Sequence, residues 1–453
     1  MKSRLLPRLT APTILLALAL ASTVRGQYVE DSVNVGGAWV GSLAYNPLMD
    51  VVYGRCQDLN GIFFAIDCAT NQVISSWSIE WPMYMAYDSI DHKLYLPFGY
   101  HSESLAVIDG RTHQRIKAIP LEWARLCVWD GMRDKLYVSC PERNVVAVFD
   151  CTQDSLICEI PVGNYPLKMY LSGWHKKLYV LNYDGKSVTV VNTVSNQVIR
   201  EVPLDIYPGA GLFAEGADNF YCCCLEGVAV LDGSTDSLVA RVSLPDGGWA
   251  TSFAENPDLG RILVGSNGYP RDLLCVLDSG GDTLIGTLHL GRSMDAVYWS
   301  PSSGLAYVTQ DAGYVSVVSG DGRRLMRNLP MGDSPFAFSY SPKHGRVYVS
   351  DLNTRYVYVI RDEVGGIAES GSTRLPRGAA TLVRGVLNVP RDMTDFRSGK
   401  SDRVPRPRAV LLDASGRRVL DLVPGPNDVS HLSPGVYFVA AGRGVTRRVV
   451  RVR

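Results

Sequence analysis

Between residues 36 and 361 short apolar runs alternate with polar turns, and the runs return at a fixed period. Aligned on an apolar strand that ends in tyrosine, the chain places Tyr53, Tyr95, Tyr137, Tyr179, Tyr221, Leu263, Tyr307 and Tyr348 in one register. The successive spacings are 42, 42, 42, 42, 42, 44 and 41 residues. A second marker runs beside the first, an alternating strand closed by Asp67, Asp109, Asp150, Asn192, Asp232 and Asp278, then by Ser319 and Arg361. In the fourth repeat, period-two alternation predicts strands over Leu167–Leu171, Lys177–Leu181, Ser187–Val191 and Gln197–Val202, separated by turns such as Asn182-Tyr183-Asp184-Gly185. Four short antiparallel strands per period of about 42 residues fit a radial blade, and the 3.6-residue period of a helical solenoid is absent.

Eight copies of the inner strand pair predict an all-β, eight-bladed β-propeller. Seven blades are the alternative, should the sixth repeat, with its longer loop from Gly265 to Asp272, be irregular. The eighth repeat ends at Arg361 without a convincing outer strand, whereas Tyr28–Val35 resembles one and precedes the first inner strand. The N-terminal segment is therefore expected to complete the last blade and seal the ring.

The organisation on either side follows from composition and charge. Lys2, Arg4 and Arg8, then the apolar run Thr13 to Ala21, then Val24-Arg25-Gly26 read as a signal peptide over residues 1–26, cleaved before Gln27. Nine apolar residues fall short of the roughly 20 that a spanning helix needs, so no transmembrane span is expected in the mature chain. From Gly371 onward there are 16 Lys/Arg against 6 Asp/Glu, net +10, while residues 27–370 carry net −14. This break marks a boundary. The propeller is assigned to residues 27–366, a polar linker to 367–376, and a small β-sandwich of short alternating strands to 377–453. With 45 basic and 45 acidic residues in all, the chain has no cationic field to attract nucleic acid, and no nucleic-acid partner is expected.

The units KLYVLNYDGKSVTVVNTVSNQVIREVPL and KLYVSCPERNVVAVFDCTQDSLICEIPVGNYP resemble YVTN-type β-propeller repeats over about three quarters of the chain. The resemblance implies an extracellular or surface protein and says little about its ligand. The C-terminal order LLDASGRRVLDL, NDVSHLSPGVYFV and a basic terminal strand resembles the sorting domain of type IX secretion substrates. That implies export through the periplasm, with residues 377–453 read by outer-membrane export machinery, and a secreted or cell-surface location.

Catalytic signatures are missing: there is no H-E-x-x-H, G-x-S-x-G, C-x-x-C, EF-hand loop or Rossmann glycine run. Spacing alone offers no metal set, and no cofactor is expected. His92, His175 and His344 fall in equivalent turns and read as solvent-facing. The recurrent Asp67, Asp109, Asp150, Asp232 and Asp278 lie a whole blade apart and read as turn caps through Asx hydrogen bonds. Of the ten cysteines, only Cys127 and Cys140, on adjacent strands, are placed near enough to pair, and the rest read as buried small hydrophobes.

One constellation exceeds what the fold needs. Trp39, Trp81, Trp123, Tyr165, Tyr207 and Trp249 recur at 42-residue intervals, each leading into an innermost strand, so six aromatics should ring one mouth of the central channel. They are either packing between blades or a stacking platform for a glycan, peptide or protein ligand. Arg125, Lys168 and Arg292 lie close by and suit anionic or hydroxylated groups. The expected function is a non-enzymatic binding or scaffold module at the cell surface. The alternative is a propeller-type hydrolase or lactonase at the channel mouth, with His101, Glu142, Asp184, Asp272 and Asp311 as its polar candidates.

Overall fold

The computed structural model describes residues 26–362 apart from 59–60, 99–103, 205, 225–226, 269–271 and 292, together with strands between Thr381 and Arg451. Eight four-stranded antiparallel sheets account for the repeats. In the fourth, the strands are Pro166–Ser172, Lys177–Asn182, Ser187–Asn192 and Gln197–Pro203, within a residue of the runs read from alternation. The sixth repeat is regular, because Trp249–Asn256, Arg261–Asn267, Asp272–Asp278 and Thr283–Gly291 form a complete blade. The seven-blade alternative, which needed an irregular sixth repeat, does not hold: Gly265, Ser266 and Asn267 extend the second strand.

Ring closure follows the expected route. Tyr28–Asn34 pairs antiparallel with Tyr356–Arg361 as the fourth strand of the eighth blade, from Tyr28 opposite Arg361 to Asn34 opposite Tyr356. A bulge at Glu30 turns that carboxylate onto two guanidiniums, Arg346 at 2.7 Å and Arg361 at 2.6 Å. The hydrogen bond from Arg346 and the charges of both arginines hold Glu30 below its ordinary pKa. Asn71 of the first blade donates to Asp31, so the same strand also grips the opposite side of the closure.

Burial does not alternate by twos on the middle strands. Gln72–Ser78 alternates exposed and half-buried positions, whereas Val51–Cys56 is buried throughout. Each middle strand packs against a neighbouring blade on both faces, which selects a continuous apolar run.

The recurrent Lys-Leu-Tyr has a physical reason that lies outside its own repeat. The tyrosine is fully buried, and its hydroxyl reaches the turn between the third and fourth strands of the next blade. Tyr95 donates to Asp154, Tyr137 to Asn196, Tyr179 to Asp236, Tyr221 to Asp282, Tyr307 to Asp362 and Tyr348 to Asn71. Lys93, Lys135 and Lys177 reach the same acceptors. Most of these acceptors have left-handed backbone, from φ 47° at Asp282 to 58° at Asp236, a region that Asn and Asp tolerate. Between blades six and seven Leu263 replaces the tyrosine and Gly322 replaces the acceptor, so the clamp there is apolar. The capping role expected of the strand-end aspartates is present as well: Asp109 accepts from the amides of Arg111 and Thr112, and Asp232 from those of Ser234 and Thr235.

Two expectations need correction. His175 and His344 are half-buried and bridge to the adjacent blade, His175 to Asp218 and His344 to Asp50 at 2.8 Å, because the turns of neighbouring blades converge where solvent was expected. Cys127 and Cys140 are free thiols, like the other cysteines described. The Cys127 sulfur instead faces the carbonyls of Tyr84 and Tyr95 at 3.4 Å. The described strands after the propeller form a five-stranded and a two-stranded sheet. The linker assigned to 367–376 lies outside the described residues, as does the signal peptide but for its last residue.

Candidate ligand-binding site

In a radial array of blades the innermost strands line the central channel, and the starts of those strands surround one end of it. Trp39 immediately precedes Val40–Asn46, Tyr165 precedes Pro166–Ser172, and Trp249 begins Trp249–Asn256. Backbone bonds fix the level of the ring. The Trp39 carbonyl accepts from the Gln57 amide and the Tyr165 carbonyl from the Tyr183 amide, which ties both residues to the turns between second and third strands.

None of the six aromatics is buried. Trp39 is 55% exposed, Trp81 46%, Tyr207 47% and Trp249 51%, while Trp123 and Tyr165 are half-buried. A packing role between blades would bury them, as it buries the clamp tyrosines. Four consecutive members also have left-handed backbone: Trp39 at φ 57°, Trp81 at 44°, Trp123 at 60° and Tyr165 at 56°. For a bulky L residue that conformation costs about 1–2 kcal/mol, and such strain concentrates at functional sites. The fold thus holds four large rings in an unfavourable backbone and leaves each at least partly exposed.

Polar groups join the rim. Arg125 donates to the Tyr165 hydroxyl at 2.9 Å, Lys186 lies 4.7 Å from the centre of the Tyr207 ring, and Tyr183 packs on Tyr207 at 5.0 Å. Lys168, on the innermost strand of the fourth blade, lies within electrostatic reach of Tyr84 of the second and Asp295 of the seventh. Burial opposes its charge, yet the groups of Tyr170, Tyr84, Cys223 and Asp295 outweigh that and raise its pKa. Asp295 is raised by burial and then by Asp311, against the pull of Lys168. Arg125 lies beside the Tyr165 hydroxyl and Lys168 on an innermost strand, while Arg292 lies outside the described residues.

Sequence reasoning missed Arg55 and Tyr84. Arg55 is buried over Gly41, where a Cβ would lie 2.6 Å from its guanidinium carbon, and its guanidinium sits 5.7 Å from the Tyr84 ring. Burial lowers its pKa, and its described partner is the neutral Gln57. The signal was an arginine inside the apolar run VVYGRC opposite the small Gly41.

Of the polar candidates of the hydrolase reading that are described, Asp272 and Asp311 both bond the backbone of Ser293, while Glu142 and Asp184 lie on other turns. Asp272 accepts from the amides of Gly268 and Ser293, and Asp311 from the Ser334 hydroxyl. Both carboxylates brace loops. Glu142 and Asp184 are exposed on separate turns, and His101 lies outside the described residues.

No protein-family model matches the chain, and no curated protein matches it. Among solved structures, the dihydro-heme d1 dehydrogenase NirN in complex with DHE is similar at TM-score 0.57 and 15% identity, over 65% of this chain and 67% of that one. The computationally designed protein Ika8 is similar at TM-score 0.58 and 14% identity, over 74% of this chain and 99% of its own. At these identities the likeness is one of fold, and it supports the propeller.

Proposed function

We propose that this chain is an exported, non-enzymatic β-propeller that binds a ligand at the aromatic rim of its channel. The observation that carries the reading is the exposure of six repeat-equivalent aromatics, four of them in left-handed backbone. Flat amphipathic rings stack on sugar rings, peptide planes and aromatic groups at low entropic cost. Arg125 and Lys168, with Arg55 beside Tyr84, add cationic donors among acids that include Asp295 and Asp311, a mixed polar lining that suits a hydroxylated ligand such as a glycan, or a peptide.

The same proposal covers address and organisation. Residues 1–26 act as a signal peptide, residues 27–366 are YVTN-type repeats, 367–376 link, and 377–453 serve as a sorting module read by outer-membrane export machinery. The +10 charge of the C-terminal stretch and its strand order support that assignment. No helix among the described residues is long and apolar enough to cross a membrane. Glycan and peptide arrays probed with the full chain test the binding reading. Signals that fall in the Trp81→Ala and Trp249→Ala chains are expected, and an array without signal counts against a rim ligand.

A further inference from the structure

At the end of the ring opposite the aromatic rim, polar side chains at or just after the ends of innermost strands reach the next blade at several junctions. At the junction of blades one and two, Asn46 donates through Nδ2 to the Gly110 carbonyl at 2.7 Å, and at six and seven Asn256 donates to the Gly320 carbonyl at 2.7 Å. Ser341 donates to Asp50 at the eighth-to-first junction, and Ser300 to Asp362 at the seventh-to-eighth. Asp130, the equivalent residue of blade three, instead accepts from Arg133 of its own blade at 2.8 Å.

The junction of blades two and three departs from this pattern. Asp88 stands where Asn46 and Asn256 stand, and it faces Asp134 and Cys151, with one ligand atom of each within 4.8 Å of the others. Asp88 is fully buried; its Oδ1 accepts from the amides of Ile90 and Asp91, but its Oδ2, in the place of the asparagine donor, has no hydrogen-bond partner. The nearest cation does not supply one. Lys93 donates to the Cys151 carbonyl at 2.6 Å and to Asp154 at 3.0 Å, with Asp91 at 3.7 Å. Lys93 is thus engaged by Asp91 and Asp154, and Asp134 accepts from the Trp129 indole at 3.1 Å and the Thr152 hydroxyl at 3.2 Å, which leaves the Asp88 Oδ2 without a partner. A buried carboxylate oxygen facing a second carboxylate is costly unless something positive lies between them.

We propose that Asp88, Asp134 and Cys151 form a divalent-cation site that staples blade two to blade three. Two carboxylate oxygens and a sulfur are the donor set of a borderline ion such as Zn²⁺, and the separation needs only a modest contraction to reach ligand distances of about 2.0–2.3 Å. On binding, the Cys151 S–H bond breaks, the sulfur lone pair forms the S–metal bond, and the proton leaves to solvent. The ion then occupies the position of the asparagine Nδ2 at the sister junctions.

The test uses the full chain, stripped with a chelator and titrated with Co²⁺ as a spectroscopic probe, then with Zn²⁺. One equivalent of Co²⁺ should give a thiolate-to-cobalt charge-transfer band that Zn²⁺ abolishes, and Zn²⁺ should raise the unfolding midpoint. Cys151→Ser should lose the band. Asp88→Asn restores the asparagine donor, so that chain should fold at least as well as the stripped parent yet lose both the band and the Zn²⁺ response. Asp134→Asn, at a left-handed position that Asn tolerates, should weaken binding at least tenfold. A parent midpoint indifferent to Zn²⁺, or a band that survives in Cys151→Ser and Asp88→Asn alike, overturns the site. A higher midpoint for Asp88→Asn over a parent that ignores Zn²⁺ also overturns it, and assigns a proton to Asp88 instead.

Discussion

Replacing Glu30 by alanine removes the charged tie that holds the N-terminal strand in the eighth blade while leaving its ladder in place. Glu30 contacts Arg346 at 2.7 Å and Arg361 at 2.6 Å, and the three side chains keep 19, 10 and 25% of their exposure. Exposed ion pairs contribute about 0–1 kcal/mol, and breaking a buried one costs about 3–5 kcal/mol. Partial burial and two guanidiniums left without their carboxylate place this loss near 2 kcal/mol. A unit of roughly 340 residues unfolds with about 2.1 cal/mol/K per residue, which converts that loss into a midpoint lowered by roughly 3 °C. The pH dependence identifies the cause. Glu30 has a lowered pKa in the folded chain, so its contribution is present above the unfolded value near 4.5 and is lost as pH falls through the folded value. Thermal unfolding of parent and variant from pH 7 to pH 3 should show a gap that closes on acidification. An unchanged midpoint at pH 7, or a gap of constant size, would refute the reasoning.

Three further outcomes are expected. Gly322→Ala should cost about 2–3 kcal/mol, because Gly322 has φ +73° and a Cβ would lie 2.6 Å from Leu263, whereas Gly304→Ala, at φ +70° in open space, should cost about 1 kcal/mol; equal midpoint losses would sink the apolar-clamp reading of blades six and seven. Glu215, raised to about 7 by burial and then by Glu255, favours its neutral form in the folded chain. Stability should therefore fall as pH rises from about 4.5 through 7, and Glu215→Gln should flatten that slope in a pH series of unfolding midpoints. Mature protein should begin at Gln27 by intact mass, and in a type IX host deletion of residues 377–453 should stop surface delivery; normal delivery would contradict the sorting role.

The blades were legible because a propeller repeats its local demands. Tyrosine spacing, capping aspartates and the unpaired outer strand at Tyr28–Val35 each belong to one repeat or to its absence. What stayed hidden depends on which turns the ring brings together. Tyr179 and Asp236 lie 57 residues apart, and nothing local in either says that they meet. His175 and His344 looked solvent-facing because their partners, Asp218 and Asp50, belong to the next blade. The aromatic ring was visible as a spacing, but its left-handed backbone was not, since tryptophan carries no signal for positive φ. Asp88 likewise read as one more polar strand end, and only beside Asn46 and Asn256 does its missing donor stand out.

Replacing Trp39 by glycine separates presentation from packing most directly. Relief of left-handed strain returns about 1–2 kcal/mol, offset by about 0.5–1 kcal/mol of glycine chain entropy, so a platform residue should leave the unfolding midpoint unchanged or slightly raised. A core tryptophan would instead cost about 3–5 kcal/mol. Measured beside it, affinity for the array-selected ligand should weaken by about 1–3 kcal/mol, or roughly 5- to 150-fold. A folded, equally stable Trp39→Gly chain with weakened binding is the result the account predicts. A large fall in the midpoint with unaltered affinity would contradict it and return the aromatic ring to the packing of the blades.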